Sequence, residues 1–365
     1  MPRLTSAEAA AVRASLLRWF RRHARRLPWR ESKSSYKVWL SEIMLQQTQI
    51  ATVIPYYRRF LAEFPSVERL AAAPLERVLE LWSGLGYYRR ARHLHLAARA
   101  MVEKHGGRFP QDFDQARCLP GVGDYTARAV VSIAYGQPCA VLDGNVARVM
   151  ARLLALRGSL PQPAFRRTIE ENLDLLLSRR RPGNFNQALM ELGQTICLPR
   201  SPQCPSCPLR RWCRAYRMGK PESFPQPRPR RQEEKWHLAT AVLHQNRRFL
   251  LFRGLDDGLL DDLWNFPSAL GESSAKALAR LREKLRRALG ISISLKEPRH
   301  QLHHSITYRS IHVQVYTGEL SGRPRANGYR WFPAGRVEQA AVSQLARKIA
   351  REVARNKRRT PMRCA

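Results

Sequence analysis

The chain has 365 residues, of which 44% are hydrophobic, and this is enough to form two ordinary domains with buried cores. Its 64 Lys and Arg residues against 29 Asp and Glu residues give a formal net charge of +35. This excess favours a polyanionic partner such as nucleic acid, although a host whose proteins are basic in general would also produce it. No run of about 18 uncharged apolar residues occurs, so we predict a protein without a membrane span.

The predicted elements begin with residues 1–27, which are rich in Arg and poor in acidic residues. This composition resembles an organellar transit peptide. However, Leu16, Leu17, Phe20 and His23 form one apolar stripe with helical spacing, which predicts a folded first helix. We therefore expect neither a transit peptide nor a secretory signal, and we expect a cytoplasmic protein that is associated with the nucleoid if the host is bacterial.

From Ala7 to about Lys220 the apolar residues recur with the period of a helix. Examples of predicted helices are Val67–Ser83, Tyr88–His105, Tyr125–Tyr135 and Phe185–Thr195. The next stretch, 221–235, is rich in proline and charged residues, which predicts a linker between two domains.

Beyond the predicted linker the composition changes to that of an α+β domain. The predicted elements are a β-hairpin made by His237–Gln245 and Arg248–Arg253 around Asn246, an amphipathic helix over Ala275–Leu289, and alternating strands within Ser305–Leu320. We therefore predict a helical domain over 1–220, a smaller α+β domain over 236–352, and a basic, frayed tail over 353–365.

Four of the seven cysteines lie close together with the spacing C-x6-C-x2-C-x5-C: Cys197, Cys204, Cys207 and Cys213. Such clustering is typical of a metal site in a reducing compartment and not of a disulfide framework. Four thiolates can hold either Zn²⁺ or a [4Fe–4S] cube. Zinc sites usually pair two short C-x2-4-C knuckles, and only one short pair is present here.

The segment Leu119–Gly123 (LPGVG) precedes a predicted helix. Its two glycines, Gly121 and Gly123, permit a tight turn and a close approach of the backbone to a ligand. Backbone amides at the start of the following helix could then bind a phosphate without reading base sequence. A plain helix–helix connection explains the same residues equally well.

Two acidic side chains have the chemistry that N-glycosidic bond cleavage needs, but the sequence by itself does not select them. Such a reaction passes through an oxocarbenium-like state, in which a carboxylic acid of raised pKa protonates the leaving group and a second, ionised carboxylate stabilises the sugar. Glu42 is a lone acid in the apolar, amide-rich stretch Ser41–Gln49, and Asp143 lies beside Gly144. Alone, Glu42 could equally be a surface carboxylate and Asp143 a helix N-cap.

Six segments occur in a characteristic order: SEIMLQQTQIATVIPYY, LWSGLGYYRRAR, LPGVGDYTARAV, LDGNVARV, FNQALMELG and the four-cysteine loop. Together they resemble the MutY-type adenine DNA glycosylases, which are relatives of endonuclease III in the helix-hairpin-helix superfamily. The resemblance is dense over 7–220 and looser over 236–335. It implies a mainly α helix-hairpin-helix glycosylase domain with two helical subdomains, the active site between them and an iron–sulfur cluster loop, followed by a smaller α+β Nudix-like domain.

The resemblance also implies a function in base-excision repair. The substrate would be double-stranded DNA with adenine opposite 8-oxoguanine or guanine, and the enzyme would hydrolyse the adenine N-glycosidic bond as a monomer. The adenine would be flipped out of the helix, because the bond is shielded within the base stack. By the same resemblance the four cysteines hold a [4Fe–4S] cluster.

Catalytic roles follow residue by residue from the resemblance. Glu42 matches the acid that protonates adenine N7, and Asp143 matches the carboxylate that stabilises or captures the sugar C1′. Asn145 matches a residue that orients the active site. Tyr125 stands where bifunctional relatives carry a Schiff-base lysine, and a phenol cannot form that imine, so we expect base removal without an efficient lyase step.

Further residues are assigned to substrate binding in the same way. Those around the flipped adenine are Trp29, Arg30, Leu45 and Glu191. Those that enter the base stack as a wedge are Gln47 and Tyr87. Those assigned to DNA contact are Thr48, Gly121 and Gly123.

The second domain resembles the Nudix-like domain of the same family through the stretch Leu259–Pro267. Working Nudix hydrolases hold Mg²⁺ on clustered glutamates, whereas the helix Ala279–Gly290 has one Glu among basic residues, so pyrophosphate hydrolysis is not expected. The family uses this domain to recognise 8-oxoguanine, partly through a Phe-Ser-His loop. The aligned residues are Leu302, His303 and His304, so only His304 is retained, which weakens the expected discrimination against guanine.

Three alternatives remain open from the sequence. A thymine or uracil mismatch glycosylase would share the scaffold and the cluster, but usually lacks the second domain. A non-catalytic protein that binds damaged DNA would not need Glu42 and Asp143. A zinc-dependent nucleic-acid-binding protein would explain the cysteines and the charge alone.

Overall fold

The computed structural model describes residues 3–32, 34–226, 232–255, 257, 263–290, 295, 297–306, 308–320 and 328–357. The chain forms two compact units. The first unit comprises Met1–Ala73 and Arg89–Pro229, and the second comprises Pro74–Tyr88 and Arg230–Ala365. None of the helices in the described part of the chain has the length and apolar character to cross a bilayer.

The described α-helices are α1 (Ser6–His23), α2 (Ser35–Leu45), α3 (Ile50–Glu63), α4 (Val67–Ala72), α5 (Leu75–Trp82), α6 (Arg89–His105), α7 (Phe113–Arg117), α8 (Asp124–Ala134), α9 (Gly144–Leu154), α10 (Pro163–Leu176), α11 (Pro182–Thr195), α12 (Arg214–Arg217), α13 (Ser274–Leu289) and α14 (Gln344–Lys357). The described strands are β1 (Glu234–Gln245), β2 (Arg248–Phe252), β3 (Ser268–Gly271), β4 (His300–Ile306), β5 (Arg309–Glu319) and β6 (Tyr329–Pro333). The helices predicted near α1, α6, α8, α11 and α13 are confirmed to within a few residues.

The first unit is helical and packs in two groups. One group contains α2, α3, α4, α6, α7 and α8, and the other contains α1, α9, α10, α11 and α12. Helix α11 also packs against α8, and so connects the two groups. Two glycines permit this close packing: a Cβ on Gly183 would lie 2.7 Å from the Ser132 carbonyl oxygen of α8, and one on Gly193 would lie 2.7 Å from Asn145 Cβ of α9.

The predicted single helix over Val67–Ser83 is wrong. The chain leaves the helix at Ala73, whose ψ is 146°, and starts a new helix after Pro74. Proline has no N–H to donate, and it disfavours the helical conformation in the residue before it. The second half of the predicted helix, α5, belongs to the second unit. The domain bounds predicted from the sequence place the same residues in the first domain.

The stretch predicted as a linker is ordered at both of its ends. Pro221–Ser223 forms a 3-10 turn, and Phe224 is 4% exposed within the core of the first unit. At the other end β1 already begins at Glu234. Residues 227–231 lie outside the described residues.

The second unit contains a mixed sheet with the order β4-β5-β1-β2-β6, in which β3 also pairs with β1. Strands β1 and β5 are parallel, and the other pairs are antiparallel. The predicted hairpin is confirmed: β1 and β2 are joined at Asn246 and Arg247, both with positive φ, as a two-residue hairpin turn requires. The alternation over Ser305–Leu320 corresponds to the end of β4 and to β5.

The tail predicted over 353–365 is not frayed in its first residues. Helix α14 continues to Lys357, because Leu345, Ile349 and Val353 follow helical spacing and are buried. Residues 358–365 lie outside the described residues. The same holds for 258–262 in the Nudix-like stretch, whereas Trp264 and Phe266 of that stretch are buried in the second unit.

Candidate active site

The first unit contains a cavity of about 920 Å³, which is within the usual range of about 300–1,000 Å³ for ligand sites. Both helix groups of this unit contribute to its lining. Ten residues predicted from the sequence line it: Trp29, Arg30, Glu42, Leu45, Gln47, Thr48, Tyr125, Asp143, Asn145 and Glu191. The predicted positions Tyr87, Gly121, Gly123 and His304, and the four cysteines, lie elsewhere.

Glu42 is buried on α2, so the alternative of a surface carboxylate is wrong. Burial raises the pKa of Glu42 to about 7. A hydrogen bond that Tyr125 donates to Glu42 Oε2 (2.9 Å) and the charge of Arg30 oppose this rise, whereas Asp143 adds to it. A carboxyl group with this pKa is partly protonated near neutral pH and can donate a proton.

Tyr125, on the first turn of α8, has its hydroxyl enclosed in the site. The oxygen that donates to Glu42 lies 3.0 Å from Met190 Sδ. Burial and the neighbouring carboxylates Glu42 and Asp143 raise the pKa of Tyr125 well above its ordinary value. The phenol therefore stays neutral, and it orients Glu42 by donating a hydrogen bond.

Asp143 is the N-cap of α9, and its carboxylate is fixed by two donors. Oδ1 accepts from the Val146 N–H (2.7 Å), and Oδ2 accepts from Asn145 Nδ2 (2.9 Å). The N-cap reading of Asp143 is therefore correct, and it does not conflict with the catalytic one. A capping carboxylate at the start of a helix is held in one orientation, here towards the cavity.

Glu191, on α11, forms a buried ion-pair group with two arginines. Arg25 Nε and the Arg25 N–H each lie 2.9 Å from Oε1, and Arg30 Nη1 lies 2.6 Å from Oε2. Burial alone would raise the pKa of Glu191, but the hydrogen bonds from Arg25 and the charge of Arg30 outweigh it and hold the pKa below its usual value. Glu191 is thus a structural anion that places Arg30 at the cavity wall.

The loop after α2 carries Gln47 in a left-handed conformation, with φ of 55°. Arg90 holds this loop: its Nη1 lies 2.9, 2.8 and 2.6 Å from the carbonyl oxygens of Ile43, Met44 and Gln46. Its Nη2 donates to Thr48 Oγ1 at 3.1 Å. A guanidinium at the end of a helix satisfies carbonyls that have no partner within the helix, so Arg90 fixes both Gln47 and Thr48.

The glycine turn between α7 and α8 has the predicted geometry. Gly121 has φ of 73°, and a Cβ there would lie 2.5 Å from His93 Cβ, so only glycine fits. Gly123 is exposed, is the N-cap of α8 and has open space around it. No side chain caps this helix start, which leaves backbone amides available to an anion.

The four cysteines lie together. All four line one small cavity with Arg152, and burial together with the charges of the other three thiols raises the pKa of Cys207 to about 12. Among the described residues, no group of three or more His, Cys, Asp and Glu side chains has the arrangement that a single metal ion would require. A cube attaches each thiolate to a different iron, so its ligands are spread more widely than those of one ion.

Two arginines of α9 connect this cysteine loop to the cavity. Arg148 donates to the Cys197 carbonyl (2.8 Å) and to Asn145 Oδ1 (3.0 Å). One turn later Arg152, which is 2% exposed, donates to the Leu198 and Pro199 carbonyls (2.6 and 2.9 Å). The helix that Asp143 caps is therefore bonded to the loop that carries the cysteines.

The histidines predicted in a recognition loop lie in strand β4. His303 pairs with His312 and His304 with Ile311, and neighbours in a strand point to opposite faces. His303 accepts from or donates to Ser310 Oγ at 2.8 Å. His304 Nδ1 is buried without a hydrogen-bond partner among the described residues, and burial lowers the pKa of His304. The two rings therefore cannot contact one base from the same face.

Sequence reasoning missed four residues that hold the site: Arg25, Arg90, Arg148 and Met190. Each contacts a predicted site residue from a distant point of the chain. Arg90, Arg148 and Met190 lie within the motifs quoted above, so membership of those motifs was the available signal. Their partners could not be identified from the sequence.

Two family models match the chain. Residues 40–174 match the HhH-GPD superfamily base excision DNA repair protein, and residues 239–352 match the NUDIX domain. The adenine DNA glycosylase of Homo sapiens is 35% identical over 406 residues, which cover 94% of this chain and 74% of the human protein. The adenine DNA glycosylase of Buchnera aphidicola (subsp. Acyrthosiphon pisum) is 32% identical, with 82% of this chain and 83% of that protein covered.

Solved structures match the helical part. A thermostable thymine-DNA glycosylase has a TM-score of 0.52 at 26% identity and covers 58% of this chain and 98% of its own. An endonuclease III in a non-covalent complex with DNA has a TM-score of 0.51 at 26% identity and covers 60% of this chain and 100% of its own.

Proposed function

The chain belongs to the adenine DNA glycosylases of the HhH-GPD superfamily, and we propose that it hydrolyses the N-glycosidic bond of adenine mispaired with 8-oxoguanine or guanine in double-stranded DNA. The observation that carries the proposal is the pair of carboxyl groups in the cavity of the first unit. Glu42 is buried with a pKa of about 7, and Asp143 is fixed by two hydrogen bonds. The cleavage needs one carboxyl group that can donate a proton and a second carboxylate held beside the sugar.

In this proposal each carboxyl group has one task. Protonated Glu42 donates its proton to the departing adenine, which leaves as a neutral base. The Asp143 carboxylate stabilises the positive charge on the sugar until water adds to C1′, and the proton that this water loses returns to the Glu42 carboxylate. Tyr125 orients Glu42 through its hydrogen bond, and Asn145 orients Asp143. The Arg30–Glu191 pair supplies a polar cavity wall against a purine edge.

DNA binding is proposed to use the glycine turn, the loop after α2 and the charge of the chain. Amides near Gly121 and Gly123 would bind a backbone phosphate. Gln47 and Tyr87, both held at positive φ, would enter the base stack where the adenine has left. The net charge of +35 supports phosphate neutralisation over the rest of the surface.

The second unit is proposed to read the damaged base. The resemblance supports this, because His304 is the residue of the family's Phe-Ser-His loop that the chain retains. If His304 reads 8-oxoguanine, His304→Ala should reduce the ratio of rates on A opposite 8-oxoguanine and A opposite G. An unchanged ratio would remove His304 from recognition.

We further propose that Cys197, Cys204, Cys207 and Cys213 hold a [4Fe–4S] cluster. Their shared cavity and the bonds from Arg152 to the surrounding carbonyls fit a group that fastens this loop. The cluster would serve as a structural cross-link of the loop. Iron and sulfide analysis with the visible absorption of the purified protein tests it, and zinc without iron would contradict it.

The function is tested by strand scission after alkali, on duplexes with A opposite 8-oxoguanine, A opposite G and T opposite G. Adenine release in the first two, without thymine release, supports the proposal. Thymine release would favour a mismatch glycosylase of the kind seen in the structural relative, and no release with intact binding would favour a non-catalytic protein. Borohydride trapping on the same duplexes should yield little adduct with the wild type and more with Tyr125→Lys, because only an amine forms an imine.

A further inference from the structure

The second unit holds a turn, Ser83–Tyr88, through one carbonyl group. The Val342 oxygen accepts from Ser83 Oγ (2.9 Å) and from the Tyr88 hydroxyl (3.1 Å). Both side chains are buried, at 2% and 8% exposure, and they stand at the two ends of the turn. One acceptor from a distant part of the chain thus fixes both ends.

A second contact fixes the helix before the turn. The Glu76 carboxylate of α5 accepts from Trp264 Nε1 (3.0 Å) and Arg330 Nη1 (3.2 Å). The Trp264 backbone N–H in turn donates to the Ala341 carbonyl (3.1 Å), beside Val342. Both contacts therefore depend on the backbone at Ala341 and Val342, and together they hold the segment that begins at Pro74.

The turn that these contacts hold is strained. Gly84 and Gly86 have φ of 102° and 78°, and Tyr87 has φ of 48°, which is uncommon for an aromatic residue. A residue other than glycine adopts this conformation at a cost in free energy, and it persists only where its surroundings determine it. Here Trp82 Nε1 donates to the Gly86 carbonyl, and the Gly84 N–H donates to the Tyr88 oxygen, both at 3.1 Å.

Tyr87 is nevertheless 46% exposed, while Ser83 and Tyr88 at the two ends of the turn are buried. A backbone fixed on both sides and an exposed ring are what a stacking residue needs, because the ordering cost is met before DNA binds. An ordinary exposed tyrosine would not require this support.

We propose that the second unit acts on DNA through this turn, and that Ser83, Tyr88, Glu76 and Trp264 are positioning residues that hold the Tyr87 ring for stacking at the mispair. The proposal rests on the proposed function for the entry of Tyr87 into the duplex. It adds that the Nudix-like unit contributes to base displacement directly, apart from any reading of the opposite base by His304.

The test is a double-mutant cycle on the full-length protein. Ser83→Ala with Tyr88→Phe removes both donors to Val342, and Trp264→Phe removes one of the donors to Glu76 and leaves Arg330 in place. Each variant is made with Tyr87 and with Tyr87→Ser. The readout is the emission of 2-aminopurine next to a mispair that carries a non-hydrolysable adenine analogue. Glu234→Gln, which alters an exposed pair with Arg309 in the same unit, is the matched control.

We expect the positioning variants to lose most of the 2-aminopurine signal when Tyr87 is present, about as much as Tyr87→Ser loses, and to lose nothing further when it is absent. Equal losses in both backgrounds would show a merely structural effect and overturn the proposal. A full signal in all positioning variants would overturn it as well, and so would a Tyr87→Ser variant that keeps the wild-type signal. Adenine release by the wild type, measured on a cleavable duplex, reports on the proposed function separately.

Discussion

Replacing Glu42 by Gln should separate catalysis from stability. The amide keeps the shape of the side chain and can still accept the hydrogen bond from Tyr125, but it has no proton to give to adenine. General acid catalysis typically contributes about 10²–10⁴-fold, so single-turnover adenine release should fall by that order while binding to mispaired DNA is retained.

The same substitution should stabilise the protein, and only at higher pH. Folding raises the pKa of Glu42 from 4.5 to about 7, and this corresponds to about 3 kcal/mol, since one pKa unit is about 1.4 kcal/mol. Below the pKa of the unfolded state, Glu42 is protonated in both the folded and the unfolded protein, so its ionisation costs the wild type no stability. As the pH rises towards the pKa of the folded state, Glu42 is already ionised in the unfolded protein. The wild type then loses unfolding free energy, whereas the Gln variant does not.

Urea unfolding of both proteins at about pH 5 and at about pH 8 measures this difference. The gain of Glu42→Gln should be small at the lower pH and approach about 3 kcal/mol at the higher one. Tyr57→Phe serves as a control, because it also loses one buried polar group but not a carboxyl group. Its effect on the unfolding free energy should be the same at both pH values. A gain that does not change with pH, or a variant less stable than the wild type at about pH 8, would refute the reasoning.

Three further outcomes are expected. Tyr125→Phe removes a hydrogen bond that lowers the pKa of Glu42, so the alkaline limb of the single-turnover pH–rate profile should move to higher pH; a shift to lower pH would contradict this. Gly193→Ala places a methyl group 2.7 Å from Asn145 Cβ, so it should cost about 1–3 kcal/mol in unfolding free energy and slow base release, whereas Gly335→Ala, with open space around it and no positive φ, should not slow release. Binding to undamaged duplex should weaken on the order of 10³-fold between about 50 and 200 mM salt, as about six phosphate contacts predict, and an affinity independent of salt would exclude a phosphate-based interface.

The sequence predicted most elements whose cause is local. The first helix, the hairpin at Asn246 and helix α13 follow from apolar spacing and turn residues, which act over a few positions. Asp143 could be recognised as an N-cap for the same reason. The break at Pro74 was also local, and it was missed because apolar spacing continues across it.

The remaining features depend on contacts between distant residues. Whether Glu42 is buried depends on α8 and α11, which close over it from 80 to 150 positions away. Arg90 finds its acceptors on a helix more than 40 positions earlier. Neither spacing nor composition specifies such partners, so sequence could assign these residues only by resemblance, and the assignment of their roles stays a prediction.

The exchange of Pro74–Tyr88 into the second unit has a consequence for how the chain folds. Ser83 and the Val342 carbonyl that it donates to are 259 positions apart. A ribosome adding about 5–20 residues per second therefore exposes this segment well before its partners exist. Most of the first unit can form in that interval, but the second unit can close only when the last described helix has been made. A ribosome-bound chain halted before Trp264 should thus be cut by protease near Ser83, and the released full-length protein should resist that cut.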